Sequence, residues 1–234
     1  MQLMNAGDFG SAIAIYSRLL DDPSTSAEEA AGHLVNRAVS YGGLRQVEAE
    51  LADYERVLEM PEAPLLLRGT ALANRSAVWL RLGQWDNAIA DGNRAIELTD
   101  DIVPVASSLM NQGIAFCENG QKSEAINAYT AVLSLSRLPD KISAEALLER
   151  GVNYLAVGDT EEAMVDFTAV GSLAQANPFQ YACALCYRAC CLSKCGRRAE
   201  ASADAQAALG YAALPPKLRS IALQIFGAWN GSSS

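Results

Sequence analysis

Apolar residues return at three- and four-residue steps along almost the whole chain. Ala12, Ile13, Tyr16, Leu19 and Leu20 form one such stripe, and Leu218, Ile221, Ala222, Ile225 and Trp229 form another near the far end. A period near 3.6 predicts amphipathic helices. The stripes are themselves periodic. The stretch from Ala73 to Asp91 is one copy of a pattern whose small residue falls at Ala38, Ser76, Gly113, Gly151 and Ala189, in steps of 38, 37, 38 and 38. A period in that range marks stacked repeats, each unable to bury its apolar face except against the next copy. The pattern predicts an all-α chain with no sheet.

Within a copy, a helix is followed by a turn and a second helix. Gly83, Gly120, Gly158 and Gly196 mark the turn, where a helix end commonly needs a left-handed residue. Arg45 holds that column in the first full unit, and Gly42 and Gly43 just upstream predict that its helix ends early. All eight prolines, Pro23, Pro61, Pro64, Pro104, Pro139, Pro178, Pro215 and Pro216, are expected in the connections between units, where they break no helix. Ser26 with Glu29, and Asp159 with Glu162, have the spacing of a capping box.

The columns have physical roles. The small residues named above permit close approach of two helix backbones. Three positions on, Tyr41, Trp79, Phe116, Tyr154 and Leu192 are bulky. On the second helices Ala12, Ala88, Ala125, Ala163 and Ala201 are small, followed four residues later by Tyr16, Gly92, Tyr129, Phe167 and Ala205. Gly92 and Ala205 predict a different packing at those two places.

A small residue, an aromatic three on, a turn glycine and then Ala-x-x-x-aromatic together resemble the tetratricopeptide repeat, in a variant with units of about 38 residues. The resemblance covers nearly the whole chain and implies a right-handed superhelical α-solenoid of helix-turn-helix repeats. The family unit is shorter, about 34 residues, and the additional residues fall between units. The expected layout is a single array over 1–229: an N-terminal half-repeat 1–23, repeats 24–62, 63–101, 102–139, 140–177 and 178–215, and a C-terminal capping helix 216–229. Residues Met1 to Ala6 read as the last turn of a helix, and 230–234 as a disordered tail. The array starts and stops in mid-unit, which fits half-units acting as caps and equally fits a fragment of a longer array.

The formal charge of −9 repels phosphate, so neither nucleic acid nor an anionic membrane is expected as partner. No secretory-signal pattern and no apolar run of membrane-spanning length is present, and a soluble cytoplasmic protein is expected. Of six cysteines, five crowd between Cys183 and Cys195, a distribution that suits free thiols in a reducing compartment better than a disulfide framework.

Arg37, Arg75, Arg150 and Arg188 precede the small column, and Asp53, Asp91, Asp166 and Asp204 each lie 16 residues further on. In the remaining unit both are replaced, by Gln112 and Ala128. The joint loss predicts structural Arg–Asp pairs within units, setting helix-pair register.

For catalysis the inventory is poor. His33 is the only histidine, and neither a phosphate-binding glycine loop nor a metalloprotease motif is present. No enzyme, cofactor or metal is expected. The first reading is a protein-protein interaction scaffold that binds a peptide or protein segment in the concave groove lined by the first helices, with Asn36, Asn74, Asn111, Glu149 and Tyr187 as groove residues. Amides both donate and accept, which suits an extended peptide backbone, although they serve equally well as bridges inside the array. Within the family, a carboxylate-gripping groove combines asparagine with lysine, and lysine is read as absent from the first helices of the first four units. Tyr187, Arg188, Lys194, Arg197 and Arg198 make the end of the fifth unit basic, a landing site for an acidic segment. The alternative is a thiol-based metal or redox binder centred on Cys183 to Cys195, against which cysteine also serves as a small buried apolar residue. Self-association through the apolar C-terminal helix is a third expectation, compatible with the first.

Overall fold

The computed structural model describes residues 8–173 and 177–230, the last two by backbone alone. The expected helical turn at Met1 to Ala6, the tail after Asn230 and the side chain of Trp229 lie outside the described residues. Two compact units divide the chain, Met1–Asn119 and Gly120–Ser234. The first holds α1 (Phe9–Leu20), α2 (Ala27–Gly43), α3 (Val47–Glu59), α4 (Leu65–Arg81), α5 (Trp85–Leu98) and α6 (Ile102–Glu118). The second holds α7 (Lys122–Ser134), α8 (Asp140–Val157), α9 (Thr160–Val170), α10 (Pro178–Lys194), α11 (Arg198–Leu209) and α12 (Pro216–Asn230). No strand forms among the described residues, and none of their helices is long and apolar enough to cross a membrane.

Inside each unit every helix packs against the next in the chain. In addition α2 lies against α4 and α4 against α6 in the first unit, and α8 against α10 and α10 against α12 in the second. The first helices of successive pairs thus lie side by side.

The turn inside each pair is the same object repeated. Gly83, Gly120, Gly158 and Gly196 have φ of 69°, 80°, 100° and 76°. The residue after the left-handed position donates its N–H back to the carbonyl of the bulky column: Gln84 to Trp79, Asp159 to Tyr154 and Arg197 to Leu192, each at 2.9 Å. This bond closes the helix end in the manner of a Schellman motif. Arg45 adopts the same conformation with φ of 58°, and Gln46 donates to Tyr41 O at 2.9 Å. Gly42 and Gly43 therefore do not end α2 early; it runs 17 residues, the length of α4, α6 and α10.

Those two glycines are there for space. A Cβ on Gly42 would lie 2.6 Å from the Glu50 carboxylate, and one on Gly43 would lie 2.7 Å from the Phe9 ring. Glu50 stands where Ala88 stands in the next pair, and Gly42 leaves room for it. A similar exchange explains Gly92, where a Cβ would meet Gln112 Cγ at 2.8 Å. The side chain of Gln112 takes that space and donates to Asn93 Oδ1 at 2.7 Å and to Ile89 O at 3.3 Å.

The small column does what close packing requires. Ala38, Ser76 and Ala189 are fully buried, and Ser76 Oγ donates across to Ala88 O at 2.9 Å. A Cβ at Gly151 would stand 2.6 Å from the Phe167 ring. The Ser26–Glu29 capping box forms. Asp159 makes no side-chain cap bond, and the second box belongs to Asn177 and Gln180. Pro104, Pro178 and Pro216 sit in the first turns of α6, α10 and α12 rather than between helices. A first turn tolerates proline because its N–H groups have no partner within the helix. Lys141 likewise falls in the first turn of α8, so lysine is not wholly missing from the early first helices.

Candidate functional site

Four arginines on first helices reach aspartates on the second helix of the same pair. Arg37 Nε and Nη2 donate to Asp53 Oδ2 and Oδ1, both at 2.7 Å, and Arg75 meets Asp91 identically. Arg150 meets Asp166 at 2.9 and 2.7 Å, and Arg188 meets Asp204 at 2.6 and 2.8 Å. The geometry is the planar two-bond fork that guanidinium and carboxylate share. The Asp53, Asp91 and Asp166 side chains are almost fully buried. For Arg37, Arg150 and Arg188, the hydrogen bond to the aspartate holds the guanidinium above its ordinary range, against the opposing effect of burial.

A second contact of the same arginines escaped the sequence reading. Arg37 Nη1 donates to Ser17 Oγ at 2.9 Å, Arg150 Nη1 to Thr130 Oγ1 at 3.0 Å, and Arg188 Nη1 to Thr168 Oγ1 at 3.4 Å. Each hydroxyl lies 20 residues upstream, on the preceding second helix. One arginine therefore ties its own pair together and also fastens it to the pair before. The signal was present as a constant spacing to Ser or Thr; Glu55 takes that place before Arg75.

The bulky column roofs these bridges. The Arg37 guanidinium lies 5.8 Å from the Tyr41 ring centroid, and Arg150 lies 5.8 Å from that of Tyr154. Trp79 Nε1 donates to Asp91 Oδ2 at 2.9 Å. In the last pair Leu192 has no ring to offer. There the arginine side chain is 29% exposed, against 13%, 15% and 18% in the others, and Asp204 is 14% exposed against 4%, 6% and 3%. A cavity of about 680 Å³ opens at this place between α9, α10 and α11, with Arg188, Leu192 and Asp204 inside and Met164 and Val165 on its wall.

The asparagine column lies on α2, α4 and α6. Asn36, Asn74 and Asn111 are all half-buried. Asn111 Nδ2 donates to Ala73 O on α4 at 2.9 Å, and Asn74 shares a side-chain hydrogen bond with Tyr54. At least two of the three amides thus take part in the packing of the first unit. In the second unit Glu149 lies on α8 and Tyr187 on α10, both half-buried. Tyr187 stacks on Phe167 at 5.3 Å between centroids. Burial, with smaller contributions from Cys183 and Glu149, pushes its phenol up to about 12, so it remains a neutral donor at physiological pH. The basic end of the fifth pair is partly neutralised, since Arg188 is paired with Asp204 and Arg197 with Glu200.

The cysteine cluster sits on α10 and its end. Cys183, Cys186 and Cys191 are buried in the core of the second unit, Cys190 is half-buried, Cys195 is exposed, and all are free thiols. Cys186 Sγ donates to Leu218 O at 3.3 Å. Among the described residues no group of three or more histidine, cysteine or carboxylate side chains is placed to hold a metal ion. His33 packs beside Tyr16, with ring centroids 5.9 Å apart. On α12, Leu218 and Ala222 are buried in the core of the second unit and Ile221 and Ile225 pack against it, so that part of the apolar stripe covers the unit instead of facing solvent.

No protein-family model matches the sequence, and a search of curated proteins finds no match either. Solved structures do match. PilW, a widely conserved type IV pilus biogenesis factor, is similar with a TM-score of 0.72 and 16% identity, over 94% of this chain and 94% of that one. YrrB, a tetratricopeptide-repeat protein with an unusual peptide-binding site, gives a TM-score of 0.63 and 17% identity, over 89% of this chain and 96% of that one. A chain of the APC/C hetero-tetramer Cut9–Hcn1 gives 0.69 and 16% identity over 97% of this chain, which spans 41% of that larger one. With helices packed in sequential helix-turn-helix order and structural neighbours of this kind over most of its length, the chain has the tetratricopeptide-repeat fold.

Proposed function

We propose that the chain is a non-catalytic scaffold whose first helices hold a segment of a protein partner. The observation that carries this reading is the register of α2, α4 and α6. They pack side by side and set Asn36, Asn74 and Asn111 at equivalent positions, one amide per helix. An amide fixed by the array, as Asn111 is by Ala73 O, is already oriented before a peptide arrives. Pre-organisation of that kind lowers the ordering cost of binding. Glu149 and Tyr187 hold the corresponding repeat positions on α8 and α10 of the second unit, with Tyr187 adding a neutral hydroxyl donor there. YrrB, which shares the fold, is described as having a peptide-binding site, and that supports the reading. The free thiols suit a reducing cytoplasm.

Selection of a phage-displayed random peptide library on the full chain tests the proposal. Enriched peptides should bind the wild type and lose about tenfold or more in affinity for an Asn36→Ala, Asn74→Ala variant, the loss of one or two hydrogen bonds to a peptide backbone. Peptides that bind the variant equally well, or no enrichment at all, would remove the column as the site.

A further inference from the structure

We propose that the cavity between α9, α10 and α11 is a docking site for an aromatic side chain presented by a partner polypeptide, the ring stacking on the guanidinium of Arg188. The occupant is read from the chain itself. Three of the four Arg–Asp bridges carry an aromatic four residues after the arginine, Tyr41, Trp79 and Tyr154, and each ring lies over the arginine or bonds to its aspartate. Only the fourth bridge has Leu192 there, and it is the most exposed of the four, with about 680 Å³ in front of it. The partner's ring takes the place that the chain's own ring takes in the other pairs.

Charge complementarity selects the same occupant. An uncovered guanidinium face attracts the negative face of a π-system, best when both are withdrawn from water. Glu161, Glu200 and Asp204 also line the cavity and disfavour an anionic ligand, while an aliphatic side chain offers the cation nothing. The wall carries its own apolar contact. Val165 is 68% exposed, at a position where the other second helices have Ala52, Ala90, Asn127 and Ala203. Met164 lies beside it and is itself touched by Arg197, whose Nη1 is 3.9 Å from the sulfur. An exposed valine beside a polarisable thioether gives the edge of a ring a surface to lean on. The cavity is lined by α9, α10, α11 and the turn residue Arg197, all within the second unit, and includes none of the asparagine column, so this site stands or falls independently of the first-helix surface.

The test uses the full chain and a capped tripeptide, acetyl-Gly-Trp-Gly-amide with a ring-fluorinated tryptophan, followed by fluorine NMR. Saturable binding is expected for the wild type. Two variants should weaken it by about tenfold or more: Leu192→Tyr, which supplies the missing ring from within, and Val165→Asp, an exposed change that leaves the core untouched. Acetyl-Gly-Leu-Gly-amide should compete poorly. No saturable binding to the wild type, equal binding to the folded Val165→Asp variant, or equal competition by the leucine peptide would each overturn the proposal. A concentration-dependent dimer that Val165→Asp abolishes would do so too, because it would assign the cavity to a second copy of the chain.

Discussion

Arg150 and Asp166 face each other through two parallel hydrogen bonds, 2.9 Å from Nε to Oδ2 and 2.7 Å from Nη2 to Oδ1, with the carboxylate almost wholly out of water. The third arm of the arginine reaches Thr130 on the preceding second helix. Removing the cation leaves a buried charge without compensation, and Arg150→Ala is expected to lower unfolding stability by about 3–5 kcal/mol. The pair's role is register more than net stability, so the combined variant Arg150→Met, Asp166→Leu should recover most of that loss. Urea unfolding of the two variants beside the wild type measures both. A double variant no better than Arg150→Ala would show that the bridge itself supplies the stability.

Glu50 tests the opposite case. Its carboxylate is buried, lies against Gly42 and is bonded to Arg81. Burial pushes its pKa above 4.5, and the Arg81 charge and hydrogen bond pull it back only in part. A carboxyl raised in the folded state favours folding while it is protonated. That contribution is complete below the unfolded value and is lost as pH rises through the higher folded value. Glu50→Gln keeps the shape and removes the titration, so the variant should gain on the wild type as pH rises from 4.5 towards neutrality. Arg81 is half-exposed and is left in water at little cost. Melting temperatures of both proteins across that range decide the point, and a variant that falls behind as pH rises would contradict it.

The repeat interval and the left-handed turn column were legible because each places a demand on one residue type at one position. A helix end with positive φ favours glycine, and four of the five copies carry it, which makes the demand visible. The 16-residue step from arginine to aspartate likewise reflects a pair geometry that four of the five repeats share. What stayed hidden depends on neighbours distant in the chain. Gly42 and Gly43 read as a helix end, although they are clearances for Glu50 and Phe9. Asn111 read as a groove residue, and its bond to Ala73 O became visible only once α4 and α6 were side by side. Leu192 is the plainest instance. Leucine for an aromatic keeps the apolar pattern intact, and the opening it leaves over Arg188 has no trace in periodicity.

Cys190 and Cys191 are adjacent in sequence and differ in chemistry. When the Cys186 thiol turns its single proton from Leu218 O to the Cys190 sulfur, that bond and the Lys194 charge hold the Cys190 thiol below the ordinary range in spite of burial, whereas burial pushes Cys191 up to about 11. The thiolate is the nucleophile. Iodoacetamide at neutral pH, with peptides resolved by mass spectrometry, should therefore label Cys190 well before Cys191. In a Cys186→Ala variant the onset of Cys190 labelling should move to higher pH, since the donor that stabilises its thiolate is gone. An unchanged onset would mean that the bond does not govern its reactivity.

Arg45 occupies with φ of 58° the position that glycine fills in four other turns. A residue with a Cβ meets its own carbonyl there at roughly 1–2 kcal/mol, and glycine avoids the clash but loses about 0.5–1 kcal/mol to the extra freedom of its unfolded chain. The balance favours glycine. The Arg45 side chain is exposed, so its removal opens no hole in the core. Arg45→Gly is thus expected to raise stability by about 0.5–1 kcal/mol, and Gly158→Ala, where φ is 100° and no heavy atom lies within 4 Å of the added carbon, to lower it by about 1 kcal/mol or more through backbone strain alone. Denaturant midpoints of the two variants read opposite signs if the turn is conformationally determined. Two shifts of the same sign would mean that contacts of the side chain, and not the backbone angle, set the preference at this column.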